Sequence, residues 1–232
     1  MEVDLGSVNT FKSLAPGATI NLTSRYDATT QLGATFGNLN SLSFSVVGTQ
    51  RGAGTQPANT SWMTLARNDP ATPTTAPSGY TASKTQSIQS QISGIAGDGS
   101  SSGALQYAHS HPEDPVSNHG SVVIVPTSGT DAINSYSTKA GSTGGLDSLV
   151  ASPGVDNTTP ADFASVVGGF IRSDLYEYAP GTAGGQATWL GTFELDNNGV
   201  TTFTSVPEPS TIATLIAGSL LLGCTKLRRK TA

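Results

Sequence analysis

The residues best suited to chemistry are the three histidines, which lie close together in the chain as His109, His111 and His119. On a strand, His109 and His111 would share one face, because side chains alternate along an extended backbone. Two imidazoles with a neighbouring carboxylate, such as Glu113, form a workable zinc site. Pro112 and Pro115 instead mark an exposed loop. The sequence therefore favours a polar loop, with a secreted metal-dependent hydrolase as the weaker hypothesis and no resident cofactor expected.

The two tryptophans are the second group of candidates. Trp62 and Trp189 could stack against sugar rings, with the many surrounding hydroxyl and amide groups bonding to sugar hydroxyls. The alternative is that both rings are core residues of the strands that carry them, and the sequence favours this alternative. A glycan-binding module thus stays open as a second hypothesis.

Short alternating segments predict the elements that must position these residues. Alternation over 18–24 and 39–47, and the apolar run at 61–66, are typical of strands. Ile88, Ile92 and Ile95 recur at helical spacing, which predicts a helix within an insertion near 80–110. Near the end of the body, Asp196-Asn-Asn-Gly199 lies between two apolar segments and predicts a hairpin, with Gly199 supplying a positive φ. We expect a mainly β, β-sandwich-like body over residues 1–205.

Composition and charge exclude several classes of protein. Only 12% of the 232 residues are charged, about half the proportion that is usual in soluble domains. Residues 1–205 contain 7 Lys and Arg against 15 Asp and Glu, so the body has a net charge near −8. Such an acidic body is unsuited to binding phosphate backbones, and we expect no nucleic-acid partner. The single cysteine, Cys224, lies outside the body, which therefore has no disulfide.

The C-terminal segment, 206–232, is the most informative part of the chain. Seventeen residues from Pro209 to Thr225 carry no charge, and as a helix they would span about 25 Å. A basic cluster follows at once, formed by Lys226, Arg228, Arg229 and Lys230. Basic residues keep a helix end in the cytoplasm, which would leave the body outside. We therefore expect one C-terminal transmembrane helix over 210–225.

The same segment resembles the PEP-CTERM sorting signal of exported proteins from Gram-negative and related bacteria that make exopolysaccharide. Pro207-Glu208-Pro209, the apolar span and the basic tail match this signal in order and spacing. The resemblance implies that an exosortase, a membrane cysteine transpeptidase-like enzyme, recognises Pro207, Glu208 and Pro209 and processes the tail. It implies nothing about the body, because bodies in this family differ widely in fold and role.

Taken together, the sequence predicts a non-enzymatic surface or matrix protein, associated with exopolysaccharide or biofilm. Its expected partners are an exosortase and the membrane, with extracellular polysaccharide as the partner under the glycan-binding alternative. Export requires a signal peptide, but Met1 to Ser7 lack its basic and apolar regions, so we expect a signal to precede this sequence.

Overall fold

A computed structural model describes residues 1–26, 28–52, 54–67, 72–96, 122–123, 135–141, 145–149, 155, 157–158, 160, 166–181, 183 and 185–206. These residues are mainly β, with a curled antiparallel sheet and few helices. The strands are β1 (Glu2–Val3), β2 (Thr19–Asn21), β3 (Ser43–Phe44), β4 (Val47–Gln50), β5 (Thr60–Ala66), β6 (Val122–Val123), β7 (Asn157–Thr158), β8 (Phe170–Tyr178), β9 (Thr188–Asp196) and β10 (Thr201–Ser205). The helices are α1 (Val8–Lys12), α2 (Ala34–Phe36), α3 (Ala82–Ala96), α4 (Tyr136–Gly141) and α5 (Leu146–Leu149).

The main sheet has six strands in the order β2-β10-β9-β8-β5-β4, and every neighbouring pair is antiparallel. Two small sheets, β1 with β6 and β3 with β7, accompany it. The chain thus enters the main sheet at one edge with β2 and returns beside it at the end with β10. The last strand of the described body therefore lies inside the sheet and has a neighbour on each side.

One face of the main sheet, called here the apolar face, is covered by the N-terminal segment, residues 1–14, which includes α1. Its buried cluster consists of Phe11, Leu22, Trp62, Leu175, Phe193 and Phe203. Phe11 comes from α1 and meets the rings of Phe193 and Phe203 edge-on, with centroid distances of 5.7 Å and 5.0 Å. Edge-to-face aromatic contacts of this kind add to the stabilisation from burial. The N-terminal segment is therefore a part of the core.

The opposite face, called here the mixed face, is divided in two. Its helix-covered half contains Met63, Leu65, Tyr176 and Tyr178, packed beneath the isoleucines of α3. Ile88, Ile92 and Ile95 are all buried, so the helix predicted from their spacing is confirmed over Ala82–Ala96. The polar half lies on β2, β9, β10 and the first part of β8, and it consists of Arg172, Thr192, Glu194, Thr202, Thr204, Thr19 and Asn21.

The predicted hairpin is confirmed by the pairing of β9 with β10 around a turn at Asp196–Gly199. Gly199 has φ +80, and a Cβ there would lie 2.8 Å from Leu32. Gly191 is required for a different reason, because a Cβ would collide with the Phe203 ring and with the carbonyl oxygen of Thr204. Gly191 thus lets β9 and β10 approach closely, while Gly199 gives the turn its positive φ and leaves room for Leu32.

Two expectations about the body need correction. Residues 39–47 do not form one strand, because Ser41 has φ +59 and Leu42 closes a turn onto Leu39. The ladder is also interrupted at Val46, whose N–H donates to the side-chain hydroxyl of Thr64. The sandwich-like arrangement is replaced, in the described part of the chain, by one curled sheet covered by helices on one face and by the N-terminal segment on the other.

None of the helices within the described residues is long and apolar enough to cross a membrane. The span predicted at 210–225 lies outside those residues.

Candidate functional site

Most of the residues that the sequence singled out lie outside the described part of the chain. This holds for His109, His111 and His119 and for everything after Val206, including Pro207, Glu208 and Pro209. It also holds for the basic cluster of Lys226, Arg228, Arg229 and Lys230. Among the residues that are described, no group of three or more His, Cys, Asp or Glu could hold a metal ion.

Trp62 lies on β5 and is only 3% exposed, within the cluster on the apolar face. Its indole N–H donates to Glu177 Oε2 at 2.9 Å, which satisfies the one polar atom of the ring. The same carboxylate oxygen lies 2.5 Å from Lys12 Nζ at the end of α1. A ring buried to this extent has no free face for a sugar, which excludes glycan stacking at Trp62 and agrees with the core alternative that the sequence favoured. Trp62 is a core residue that helps to fix α1 on the sheet.

Trp189 lies on β9 at the border of the helix-covered half and is half-buried. The guanidinium carbon of Arg67 lies 5.8 Å from its ring centroid, a distance typical of a cation–π contact. Its indole N–H donates to Gly191 O at 2.9 Å. Arg67 therefore already occupies one face of this ring, and sugar stacking at Trp189 stays a prediction for the other face alone.

A buried ion pair marks the border between the two halves of the mixed face. Arg67 follows β5 directly, and its Nε lies 3.0 Å from both carboxylate oxygens of Asp174, whose side chain is fully buried. Arg67 Nη2 also contacts Asp174 Oδ1 and donates to Thr192 Oγ1 at 2.7 Å. The Thr192 hydroxyl in turn donates to Asp174 Oδ1 at 2.8 Å. This arrangement joins β5, β8 and β9 through side chains as well as through the backbone.

The segment after β5 completes this network. Thr74 N–H donates to Asp174 Oδ2 at 2.7 Å, and the Tyr176 hydroxyl donates to the carbonyl oxygen of Thr74. Burial, followed by the nearby charge of Asp174, raises the pKa of Tyr176 to about 12, so this hydroxyl stays protonated and keeps donating. With both oxygens of Asp174 engaged by several donors, the carboxylate is arranged as a structural anchor.

The polar half presents two rows of side chains that run across neighbouring strands. In one row Thr204 and Thr19 are direct cross-strand neighbours with hydroxyls 2.8 Å apart, and the buried Thr192 of the ion-pair network lies at the inner end of this row. In the next row the neighbours are Glu194, Thr202 and Asn21, and Glu194 pairs with Arg172 at 2.6 Å. Each hydroxyl can both donate and accept, and the one ion pair leaves this surface without net charge. Such a surface suits a neutral, hydroxyl-rich ligand.

Sequence reasoning missed both the buried ion pair and the polar rows. The one signal for the ion pair was Asp174 within an apolar strand, since a carboxylate at a core position requires a partner. The polar rows depend on the register between strands, which spacing along the chain does not provide.

Comparison with protein-family models, with curated proteins and with solved structures finds no match to this chain.

Proposed function

We propose that this protein is an exported surface or extracellular-matrix protein that an exosortase sorts and processes through residues 206–232. The body has no catalytic role in this proposal. The segment 210–225 is a transmembrane helix that anchors the chain transiently, with the body outside the cytoplasm. Processing then leaves the body at the cell surface or in the exopolysaccharide matrix of a biofilm.

The observation that carries the proposal is that the Pro-Glu-Pro motif closely follows strand β10 of the main sheet. Val206, the residue after β10, donates its N–H to Leu190 O at 3.2 Å. Pro207-Glu208-Pro209 follows immediately in the sequence, and the uncharged run and the basic cluster come next. A sorting signal must be separable from the domain that it delivers. This order of elements supports such a division, because all six described strands of the main sheet precede Pro207 in the sequence.

The chemistry of the proposed step is a peptide-bond transfer. The C–N bond of the cleaved peptide breaks, its acyl group forms a thioester with the cysteine of the enzyme, and the tail leaves as a protonated amine. Water or an acceptor amine then attacks the thioester and frees the thiol. This chain supplies the acyl group and the recognition residues.

The test is the intact mass of the mature protein, isolated from a host with the exosortase and from the same host without it. Loss of the tail only when the enzyme is present is the expected result. An unprocessed C-terminus in both hosts would contradict the proposal. Glu208→Ala in the full chain serves as the matched substitution within the motif and should block processing.

Glycan binding by the body is the second candidate function, and the polar half of the mixed face favours it. Its neutral rows of hydroxyl, amide and paired charged groups suit the hydroxyls of a polysaccharide better than the buried Trp62 does. Retention of the purified full chain on polysaccharide from its own cells should be insensitive to salt, since little net charge is involved. Elution by moderate salt would indicate a charge-driven contact and would count against this function.

A further inference from the structure

The last strand of the body is fixed on both sides up to its final residue. β10 pairs with β9 from Thr201 to Ser205 and with β2 from Thr202 to Thr204. Ser205 donates its N–H to Ala18 O at 3.0 Å, and its own carbonyl oxygen accepts from Gly17 N–H at 3.2 Å. The Ser205 hydroxyl donates to Ala15 O at 2.7 Å. Every polar group of Ser205 is therefore already bonded within the body.

Withdrawing this strand would disrupt the core as well as these hydrogen bonds. Phe203 is fully buried and contacts Phe193 and Phe11 at centroid distances of 4.8 Å and 5.0 Å. Freeing residues 203–206 would expose the Phe203 ring and leave the partners of Ser205 unsatisfied. The chain up to Val206 is thus an integral part of the native sheet.

An enzyme that cleaves a polypeptide takes its substrate as an extended segment whose backbone groups are free to pair with the enzyme. Up to Val206 those groups are not free in the folded body. We infer, on the basis of the proposed function, that the folded body restricts the processing enzyme to residues from Pro207 onward, and that the absence of a spacer after β10 limits the rate of cleavage. If the cleaved bond follows Pro209, the enzyme has only the three residues of the motif on the body side.

The surface around the exit of the chain fits this close approach. Ala15, Pro16 and Gly17 are exposed beside Ser205, and no charged residue occurs from Ser13 to Ser24. A surface without charges can come close to a membrane and to a membrane-bound enzyme without desolvating ionised groups. The short connection and this uncharged rim together bring the body against the enzyme during cleavage.

The experiment inserts about ten Gly and Ser residues between Val206 and Pro207, a flexible spacer of roughly 18 Å. The matched control has the same insertion after Gly37, an exposed position near Leu39, which packs against Ile171 and Leu195 at the opposite end of the strands. Pulse-chase labelling in a host with the exosortase measures the rate at which the shortened body appears, and mass spectrometry locates its new C-terminus. Thermal unfolding of each purified chain checks that the sheet is intact.

We expect the spacer after Val206 to speed cleavage about tenfold, which corresponds to about 1.4 kcal/mol of activation free energy imposed by the neighbouring folded body. The control insertion should be processed at the wild-type rate, and no product should end before Val206. Equal rates for the wild type and the spacer variant would overturn this inference and leave the proposed function standing. A failure of the enzyme to process any of the three chains would overturn both.

Discussion

The two halves of the mixed face share one sheet and differ in almost everything else. In the helix-covered half, the large side chains of Met63, Leu65 and Tyr178 are fully or almost fully buried. In the polar half, Thr202, Thr204 and Glu194 are half-buried and Thr19 is exposed. The face of each strand is set by alternation, so the difference comes from which residues stand at those positions. A helix packs onto a sheet where it can bury apolar side chains, and this determines which half α3 covers.

The buried ion pair of Arg67 and Asp174 lies at the border, where an apolar core gives way to a polar surface. Arg67 reaches from the end of β5 over Asp174 on β8 to Thr192 on β9. Two opposite charges thus lie at the border, hydrogen-bonded to each other and to the Thr192 hydroxyl. Substitutions at the border, in the helix-covered half and in the polar half should therefore change the free energy of unfolding by different amounts.

The largest expected effect comes from breaking the buried ion pair. Asp174→Ala leaves the Arg67 guanidinium buried without its partner, and we expect the free energy of unfolding to fall by about 4 kcal/mol. Urea denaturation of the purified chain measures this change. The matched control is Glu194→Ala, which breaks the pair with Arg172, whose two side chains are 27% and 19% exposed, and should lower stability by about 1 kcal/mol. Similar losses for the two variants would mean that the border has no special role.

The second effect concerns the helix-covered half. Ile88→Ala removes a fully buried side chain from the sheet-facing side of α3. We expect the free energy of unfolding to fall by about 3 kcal/mol, because a cavity remains in the core. Ser87→Ala, at the exposed neighbouring position of the same helix, should change stability by less than about 0.5 kcal/mol. If the free energy of unfolding depends on urea concentration with the same slope in the wild type and both variants, the substitutions change only stability. Tolerance of Ile88→Ala would indicate that α3 contributes little to the core.

The third prediction concerns the contact between the N-terminal segment and α4. Glu2 Oε1 accepts from Tyr136 N–H at 2.8 Å, at the start of α4. Burial of the carboxylate raises the pKa of Glu2 from 4.5 to about 7, against smaller opposing contributions from Tyr136 N–H and the Met1 amino group. The folded state therefore binds this proton more tightly, and its stability should fall by about 2 to 3 kcal/mol as the pH rises from about 4.5 through about 7.

Glu2→Gln keeps an acceptor for Tyr136 N–H and cannot ionise, so it should remove this part of the pH dependence. Thermal unfolding of both proteins at about pH 4 should give similar midpoints, while at about pH 8.5 the variant should be the more stable. A pH dependence that is unchanged by the substitution would mean that the Glu2 carboxyl ionises in the folded state as it does in the unfolded chain.

Local patterns account for the parts of the fold that the sequence predicts correctly. The hairpin depends on Gly199 and its neighbours, and α3 depends on isoleucines three and four residues apart, so each signal lies within the element itself. The strand expected over 39–47 was wrong because tertiary contacts decide it. The Thr64 hydroxyl accepts a hydrogen bond from the N–H of Val46, and a turn at Ser41 interrupts the extended backbone before β3. The alternation of apolar and polar residues along the chain reveals neither the hydrogen bond nor the turn.

The polar network could not be predicted for a related reason. Arg67 and Asp174 are 107 residues apart, and only the pairing of β5 with β8 brings them together. Trp62 and Trp189 were chosen for their aromatic rings, but ring chemistry does not reveal burial. The register places Trp62 opposite Glu177, on the covered apolar face, and places Trp189 on the mixed face beside Arg67.

The smallest effect on stability, and the sharpest test of what the polar half does, comes from its central threonine. Thr204→Val keeps the shape of the side chain and removes the hydroxyl that lies 2.8 Å from that of Thr19, so stability should change by less than about 0.5 kcal/mol. If the rows bind polysaccharide, retention of the full chain should weaken by roughly fivefold, because one hydrogen bond contributes about 1 kcal/mol. Thr188→Val removes an exposed hydroxyl from β9 outside these rows and should leave retention unchanged. Equal retention of the two variants and the wild type would mean that the polar half is a solvated surface that does not bind polysaccharide, because the loss of a hydroxyl at the centre of a binding face must weaken binding.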